Sequence, residues 1–302
     1  MSNNVNTSGP QLGYAVVFGF IMVLGLPLNA VALWILLRRH SLKSPSAVFM
    51  VNLAISDLLL VISLPMRVYF YATGTWPLSF TACTSISMLF RNNIRSSSIF
   101  ITFISIDRLL AVVYPLRTLH LRTTSNAWKS AVLIWIFVFV LNIPERISFS
   151  TTHKDNYTCF EFDDHQRSTT GLSYLQLVLV FIMLTVNIVS TALVSWTLRR
   201  HLTDSARINK KMNVMLIFAM NLVMFIICFV PVSIGVIIRT PKLPYLICLA
   251  SVNCCLDPLL YYFSLDSFWK KKEDADSGSV QREQHLGTST DRAQQLTTHL
   301  TS

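Results

Sequence analysis

Long apolar stretches separated by short polar ones are the dominant pattern along the chain. Seven of these stretches carry few charged residues, and each is long enough to cross a bilayer as a helix with some tilt. They occupy residues 14–37, 47–72, 82–114, 128–149, 172–198, 212–238 and 245–263. The pattern predicts an all-α membrane protein in which residues 14–263 form a bundle of seven transmembrane helices.

The two ends of the chain lack this pattern. Residues 1–13 precede an apolar run that is too long for a signal peptide, so they are expected to form a short extracellular tail. Phe268 and Trp269 stand beside three lysines, which predicts a short amphipathic eighth helix over residues 264–272. Residues 273–302 are polar and rich in Ser and Thr, as is typical of a disordered cytoplasmic tail.

Composition and charge support this topology. Hydrophobic residues make up 52% of the 302 residues, and only 13% are charged. The mean hydropathy is +0.51, too apolar for a soluble domain of this size. Basic residues concentrate after the first, third and fifth runs and in the tail, which the positive-inside rule assigns to the cytoplasm. The net charge of +10 therefore reflects topology and does not indicate nucleic-acid binding.

Two sequons and two cysteines fall on the predicted outer side. Asn6 and Asn156 each begin a glycosylation sequon, which is consistent with an extracellular location at the plasma membrane. Cys83 begins the third run, and Cys159 lies between the fourth and fifth runs. These two cysteines are expected to form a disulfide in the oxidising exterior, with two free thiols as the alternative.

The third run carries charged residues within a long apolar stretch. As one helix it places Arg91 about 12 Å from Cys83 and Arg95 one turn further on the same face. Asp107 and Arg108 follow about 36 Å from Cys83, which exceeds the roughly 30 Å hydrocarbon core of a bilayer. Arginines buried between those two ends are costly and usually mark a pathway, a partner or a ligand.

Other runs contain isolated polar residues and prolines. Asn29, Asp57 and Asp257 would lie deep in lipid, so their side chains are expected to face the interior of the bundle. Pro231 and Pro258 are expected to kink the sixth and seventh helices, because proline removes a helical hydrogen bond.

These features resemble those of the class A, rhodopsin-like G-protein-coupled receptors over residues 14–272. The motifs are Asp-Arg-Leu at 107–109, Phe-x-x-Cys-Phe-x-Pro at 225–231 and Asp-Pro-x-x-Tyr at 257–261. Single positions that also match are Asn29, Asp57, Arg108, Trp135, Pro231 and Pro258. The Asp form of the last motif, with Leu-Pro-Leu-Asn at 26–29 and Asp-Arg-Leu-Leu-Ala-Val-Val-Tyr-Pro at 107–115, is similar to the purinergic-like cluster. Within it the chain most resembles the lysophosphatidic acid receptor type 5 group.

The resemblance implies roles for the buried polar residues. Asp57 would belong to a sodium and activation network with Asn29, Asn253 and Asp257, and a sodium ion would bind near Asp57. Arg108 would be the switch for a heterotrimeric G protein, held by Asp107 at rest and released when helix six swings outward. The remaining switch positions would be Phe229, Pro231, Pro258 and Tyr261. The alternative is that Asp57 and Arg108 only pack the bundle.

The resemblance also implies an anionic lipid ligand, similar to lysophosphatidic acid. Arg67 matches the basic residue that lysolipid receptors place on helix two, and the candidate site adds Tyr71, Arg91, Arg95 and Glu145. Planar guanidinium groups suit phosphate or carboxylate. The alternatives are that Arg67 extends to the lipid headgroups and that Glu145 forms an internal salt bridge with the helix-three arginines.

A nucleotide or a small carboxylate is the alternative ligand. The nucleotide receptors of the cluster place a His and a basic residue after the helix-six proline, whereas residues 232–236 contain neither. A further alternative is an orphan paralogue or splice form with impaired binding, because only 25 residues separate Pro231 from Asp257.

Other function classes fit the sequence less well. A transporter would show repeat symmetry, and a retinal protein would need a lysine in the last run. An intramembrane hydrolase could use Asp57 and Asp257 as an acid pair. A receptor without enzymatic activity is therefore expected. Receptor kinases and arrestin are expected partners of the Ser and Thr residues of the tail, with a plain solvated tail as the alternative.

Overall fold

The computed structural model describes residues 11–39, 42, 44–152, 159–160, 171–200, 208–259 and 261. Three expected features lie outside these residues. They are the sequons at Asn6 and Asn156, the amphipathic helix expected over 264–272, and the tail of 273–302. The side chain of Glu145 also lies outside the described part, although its backbone belongs to a helix.

The described residues form helices and connections, without a strand. Five long helices come first: α1 (Leu12–Arg39), α2 (Pro45–Thr73), α3 (Phe80–Val113), α4 (Thr124–Thr152) and α5 (Gly171–Arg200). The sixth span consists of α6 (Ile208–Met224), a π-helical segment (Phe225–Phe229) and α7 (Val230–Ile238). The seventh span is α8 (Leu243–Leu259), which is shorter than the other six. The seven spans of the described residues therefore confirm the predicted all-α membrane bundle.

Local sequence explains where α2 and α3 begin and end. Ser44 and Ser79 are the N-caps, and each side-chain oxygen accepts the backbone N–H three residues later at 3.3 Å. Pro45 occupies the first turn of α2, where no N–H is needed. Gly74 ends α2 in the left-handed conformation at φ 69°, which glycine adopts without steric cost. Local caps therefore mark both ends of α2 and the start of α3.

Helix α3 lies at the centre of the bundle. It packs against α2, α4, α5 and the sixth span, and most of its middle residues are buried. A hydrogen bond also joins α4 to α2: the Trp135 indole donates to Asn52 at 2.9 Å. Polar side chains on α3 therefore point into the protein and not into lipid.

The seventh span packs closely against α1 at Gly25. A Cβ atom at this glycine would lie 3.1 Å from Val61 Cγ2 and 3.2 Å from Cys254 Sγ. Asn29, one turn further along α1, donates to the carbonyl oxygens of Gly25 at 3.0 Å and Cys254 at 2.7 Å. The absence of a side chain at Gly25 thus lets α1, α2 and α8 meet.

We expect Gly25→Leu to destabilise the protein by about 1–3 kcal/mol, because the new side chain would overpack this junction. Gly19→Leu is the matched control, since nothing lies within 4 Å of a Cβ atom at Gly19. Both changes are made in α1 and raise helix propensity alike. Thermal unfolding in detergent checks the prediction, and equal midpoints for the two variants would contradict it.

The irregular part of the sixth span precedes Pro231. Proline has no N–H to donate, and the helix widens to a π-helical turn over the five residues Phe225–Phe229. Phe225 and Phe229 are buried there, with ring centroids 5.3 Å apart. A local irregularity lies where the sequence predicted a kink, and Phe229 is its last residue.

Candidate functional site

The expected disulfide is present. Cys83 at the start of α3 is bonded to Cys159, with a Cα–Cα distance of 5.9 Å. This bond holds Cys159, and with it Phe160, against the end of the bundle where α3 begins. Both residues are buried. The alternative of two free thiols is excluded.

Arg67 of α2 lies inside the protein among aromatic rings. Only 2% of its surface is exposed, so it does not extend to the lipid headgroups. Its guanidinium carbon is 4.2 Å from the ring centroid of Phe90, 4.4 Å from that of Phe160 and 5.9 Å from that of Phe18. Nε and Nη1 have no hydrogen-bond partner, and no described carboxylate pairs with this guanidinium. The structure therefore contains a buried cation whose described neighbours include no counter-charge.

Tyr71 and Arg91 lie close to Arg67. Tyr71 is one turn along α2 and is buried, with its ring stacked on Phe18 at a centroid distance of 5.7 Å. Arg91 of α3 is partly buried and lies close enough to Arg67 for the two charges to repel each other. Arg67 and Tyr71 of α2 thus lie against Phe18 of α1, with the positive charge of Arg91 near enough to act on Arg67.

Arg95 points to a different set of helices. Its Nη1 donates to Asn142 Oδ1 of α4 at 2.8 Å, and Nε and Nη2 donate to Gln176 Oε1 of α5 at 3.3 and 3.1 Å. Asn142 in turn donates to Asn92 of α3. The guanidinium of Arg95 is therefore bound by neutral amides, whereas Arg67 is surrounded by rings.

Arg95 and Gln176 also line a cavity of about 360 Å³ between α3, α4 and α5. The rest of the lining is mostly apolar and includes Ile99, Phe103, Leu133, Phe137, Leu179 and Met183. A cavity of this composition fits the apolar part of a ligand, and the side chains of Arg95 and Gln176 would orient it.

Asp57 is the centre of a buried polar network. Its Oδ1 accepts hydrogen bonds from Asn93 at 2.9 Å and from Ser97 at 3.4 Å. Asp257 accepts from Asn253 at 2.6 Å, and the carboxyl groups of Asp57 and Asp257 lie close enough to interact. Two buried carboxylates repel each other unless they share a proton or a cation.

The same network has free oxygen atoms. Asp57 Oδ2, Asp257 Oδ1 and Asn253 Oδ1 are buried without a hydrogen-bond partner, as is the hydroxyl of Tyr261. Carboxylate and amide oxygens are the ligands that hard cations prefer, so this set fits a sodium ion. The side-chain nitrogen of Asn29 donates to backbone carbonyls at the α1–α8 junction, and its Oδ1 is also buried without a hydrogen-bond partner.

Asp107 has other partners than the sequence suggested. Arg122, which follows α3 in the chain, donates to its Oδ1 from Nε at 2.9 Å and to its Oδ2 from Nη2 at 3.3 Å. Ser46 at the start of α2 donates to Oδ2 as well. Arg108 Nε is buried without a partner. The two-pronged contact with Arg122 and the bond from Ser46 were not expected, and no described hydrogen bond joins Asp107 to Arg108. That Asp107 holds Arg108 in the resting state stays a prediction.

Residues 28–261 match the family model of the seven-transmembrane receptors of the rhodopsin family. This match covers more than half of the chain. The chain belongs to the rhodopsin family of seven-transmembrane receptors. Rhodopsin-family proteins are multi-pass membrane receptors and not enzymes, which excludes the hydrolase alternative for Asp57 and Asp257.

Individual relatives show which group of rhodopsin-family receptors the chain is similar to. The chain is 36% identical to lysophosphatidic acid receptor 6 of Gallus gallus over 84% of this chain and 90% of the relative. It is 34% identical to lysophosphatidic acid receptor 4 of Homo sapiens, over 84% of this chain and 75% of the relative. It is also 34% identical to lysophosphatidic acid receptor 5 of Bos taurus, over 84% and 76%. The resemblance to this group of receptors, with type 5 among them, is confirmed.

Sequence reasoning did not identify four polar side chains in this rhodopsin-family bundle. Asn142 and Gln176 bind Arg95, while Asn93 and Ser97 bind Asp57. The available signal was that each is a polar residue within an apolar run, which usually means an interior partner. The sequence did not indicate which partner each side chain would have.

We expect Arg122→Gln to lower the stability of this rhodopsin-family protein by about 1.5–3 kcal/mol, because the nearly buried carboxylate of Asp107 loses a charge-assisted contact. Arg117→Gln is the matched control, since Arg117 is exposed in the same connection. Thermal unfolding in detergent measures both variants. If Arg117→Gln lowers the unfolding midpoint as much as Arg122→Gln does, the contact with Asp107 is not what stabilises the protein.

Proposed function

We propose that the chain is a cell-surface receptor for an anionic lipid, lysophosphatidic acid or a close analogue, and that it activates heterotrimeric G proteins. The observation that carries the proposal is Arg67, a buried guanidinium with two unpartnered nitrogens and no described counter-charge. The relatives named as lysophosphatidic acid receptors support the same ligand class.

The phosphate of the ligand would bind between α2 and α3. Arg67 and Arg91 are close enough to repel each other, and an anion between them would turn that repulsion into attraction. Charge-assisted hydrogen bonds to the phosphate would contribute about 1.5–3 kcal/mol each. Tyr71 would complete the polar edge of this headgroup site.

The acyl chain would lie in the cavity between α3, α4 and α5. Phe90, which contacts Arg67, and Ile94, which lines the cavity, are one turn apart on α3. The lining is mostly apolar, and burying the chain would contribute about 0.8 kcal/mol per methylene. Arg95 would orient the glycerol part while Asn142 and Gln176 hold its guanidinium.

A nucleotide or small carboxylate is the competing ligand class. A base and ribose would need hydrogen-bonding groups along most of their length. The cavity lining is instead mostly apolar, and its polar residues are Arg95, Ser98, Ser130 and Gln176. This apolar lining favours a lipid.

Signalling would proceed from the ligand site to the Arg108 end of the bundle. The N-terminus would be extracellular and Arg108 would face the G protein, with Phe229, Pro231, Pro258 and Tyr261 as moving parts. A sodium ion bound at Asp57, Asp257 and Asn253 would stabilise the resting state by neutralising the two carboxylates. Receptor kinases and arrestin would act on the cytoplasmic tail.

The test exposes cells that express the receptor to lysophosphatidic acid, to a monoacylglycerol with the same acyl chain, and to nucleotides and small carboxylates. G-protein dissociation is the readout, and untransfected cells are the control. We expect a response to lysophosphatidic acid that the uncharged monoacylglycerol does not produce. Activation by a nucleotide without any response to the lysolipid would refute the proposed ligand.

A further inference from the structure

Phe160 has a backbone conformation that an aromatic residue rarely adopts. Its φ is 64°, in the left-handed region where the Cβ atom of an L-residue crowds the following carbonyl. Such conformations persist only when surrounding contacts hold them, and they concentrate at binding sites and switches. The strain at Phe160 therefore calls for an identifiable set of restraints.

Those restraints come from both sides of the residue. On the chain side, Cys159 is bonded to Cys83 of α3. On the ring side, the phenyl group makes edge contacts with Phe70 at 5.5 Å and with Trp76 at 5.3 Å between centroids. The residue is 7% exposed. A disulfide and two aromatic contacts thus hold Phe160 in its unfavourable conformation.

The ring that is held this way lies against Arg67. Its centroid is 4.4 Å from the guanidinium carbon, and that of Phe90 is 4.2 Å away. The negative face of an aromatic ring attracts a cation, but it does not replace the hydrogen bonds that Nε and Nη1 lack. An anion that reached the guanidinium could accept hydrogen bonds from Nε and Nη1.

We propose that Phe160 is a cover over Arg67 that an anionic headgroup displaces when it binds. In the ligand-free protein the ring shields the cation from water and from other anions. When the ring leaves, φ returns to a favourable region, and this relief offsets part of the lost ring contacts. The ligand chemistry rests on the proposed function, whereas the cover itself rests on the contacts of Phe160.

The consequence is that Phe160 controls access to the buried cation. Cys248 lies near enough to Arg67 to sense its charge and is itself buried, so its thiol can report on access without altering Arg67. A small anionic thiol reagent would be drawn to this position by Arg67. Removing the cover should then speed the modification of Cys248.

The experiment adds a membrane-impermeant sulfonate-bearing methanethiosulfonate to intact cells and measures the rate at which Cys248 is modified. We expect Phe160→Ala to raise this rate at least about tenfold, a difference of about 1.4 kcal/mol in access. Leu78→Ala, at an exposed position before α3, is the matched control and should leave the rate unchanged. Cys248→Ser identifies the thiol, because the accelerated reaction must disappear with it.

A second variant keeps the test decisive if Phe160→Ala does not reach the surface. Phe160→Leu retains bulk but lacks the ring face that attracts the cation, so it should raise the rate by a smaller factor. A rate equal to that of the unmodified receptor in every variant that reaches the surface would overturn the proposal.

Binding of lysophosphatidic acid separates the cover from the ligand assignment. We expect Phe160→Ala to accelerate association of labelled lysophosphatidic acid in parallel with the thiol reaction. Faster thiol modification without lysophosphatidic acid binding to either protein would support the cover and reject the proposed ligand. Lysophosphatidic acid binding with unchanged thiol modification would support the ligand and reject the cover.

Discussion

Replacing Arg67 with glutamine is expected to raise the half-maximal concentration of lysophosphatidic acid at least about tenfold, equivalent to about 1.4 kcal/mol. The physical reason is that Arg67 is the buried cation with unpartnered nitrogens and no described counter-charge. Glutamine retains polar atoms and much of the length but removes the charge. G-protein dissociation over a range of ligand concentrations measures the effect.

Lys242→Gln is the matched control for this prediction. It removes one positive charge from the exposed connection between α7 and α8, on the same side of the bundle as Arg67, without altering the space between α2 and α3. Surface labelling must be equal for both variants. If the potency of lysophosphatidic acid is the same in Arg67→Gln and in the unmodified receptor, the headgroup site lies elsewhere.

The two helix-three arginines give further comparisons. Arg91→Gln is expected to lower potency by a similar factor, because Arg91 lies close enough to Arg67 to act on the same anion. Arg95→Gln is also expected to lower potency about tenfold, since it removes a guanidinium that lines the cavity and leaves Asn142 and Gln176 without their cation. Unchanged potency in both variants would argue against a lipid headgroup at α3.

Replacing Arg108 with alanine is expected to abolish G-protein activation while surface expression persists. Arg108 lies in the last part of α3, beside the carboxylate that Arg122 and Ser46 occupy, and its Nε has no partner. No described hydrogen bond joins Arg108 to Asp107, so we expect this guanidinium to be able to change partners when the receptor is activated. The measurement is ligand-stimulated G-protein dissociation at matched surface density.

Arg117→Ala is the control for Arg108, because it removes an exposed arginine from the connection that follows α3. It should retain signalling, whereas Arg108→Ala should retain only expression and ligand binding. Full signalling by Arg108→Ala would show that another residue contacts the G protein.

The spans and the disulfide could be predicted because each follows from a local property. Seven apolar runs must form helices in lipid, since no water is present to bind exposed backbone groups. The predicted and observed helix ends differ by only a few residues where both are described, because both follow the change from apolar to polar residues along the chain. The pairing of Cys83 with Cys159 followed from having two cysteines on one side of the membrane.

The partners of the charged side chains could not be predicted in the same way. A helical repeat places Arg91 and Arg95 on one face of α3, yet Arg95 bonds to α4 and α5 while Arg91 lies near Arg67 of α2. Long side chains reach several angstroms in different directions from one face, so neighbouring helices decide the contacts. For the same reason the sequence paired Asp107 with its neighbour in the chain, whereas Arg122 binds it in space.

By itself the sequence determined that this chain crosses a membrane seven times, belongs to a receptor family and buries polar groups inside the bundle. Those properties depend on hydrophobicity, length and short motifs, which are readable one segment at a time. Only the tertiary structure decided that Arg67 lies among the rings of Phe18, Phe90 and Phe160. Those rings come from two helices and a disulfide-linked segment that are distant in the chain, and only packing of the whole bundle brings them together.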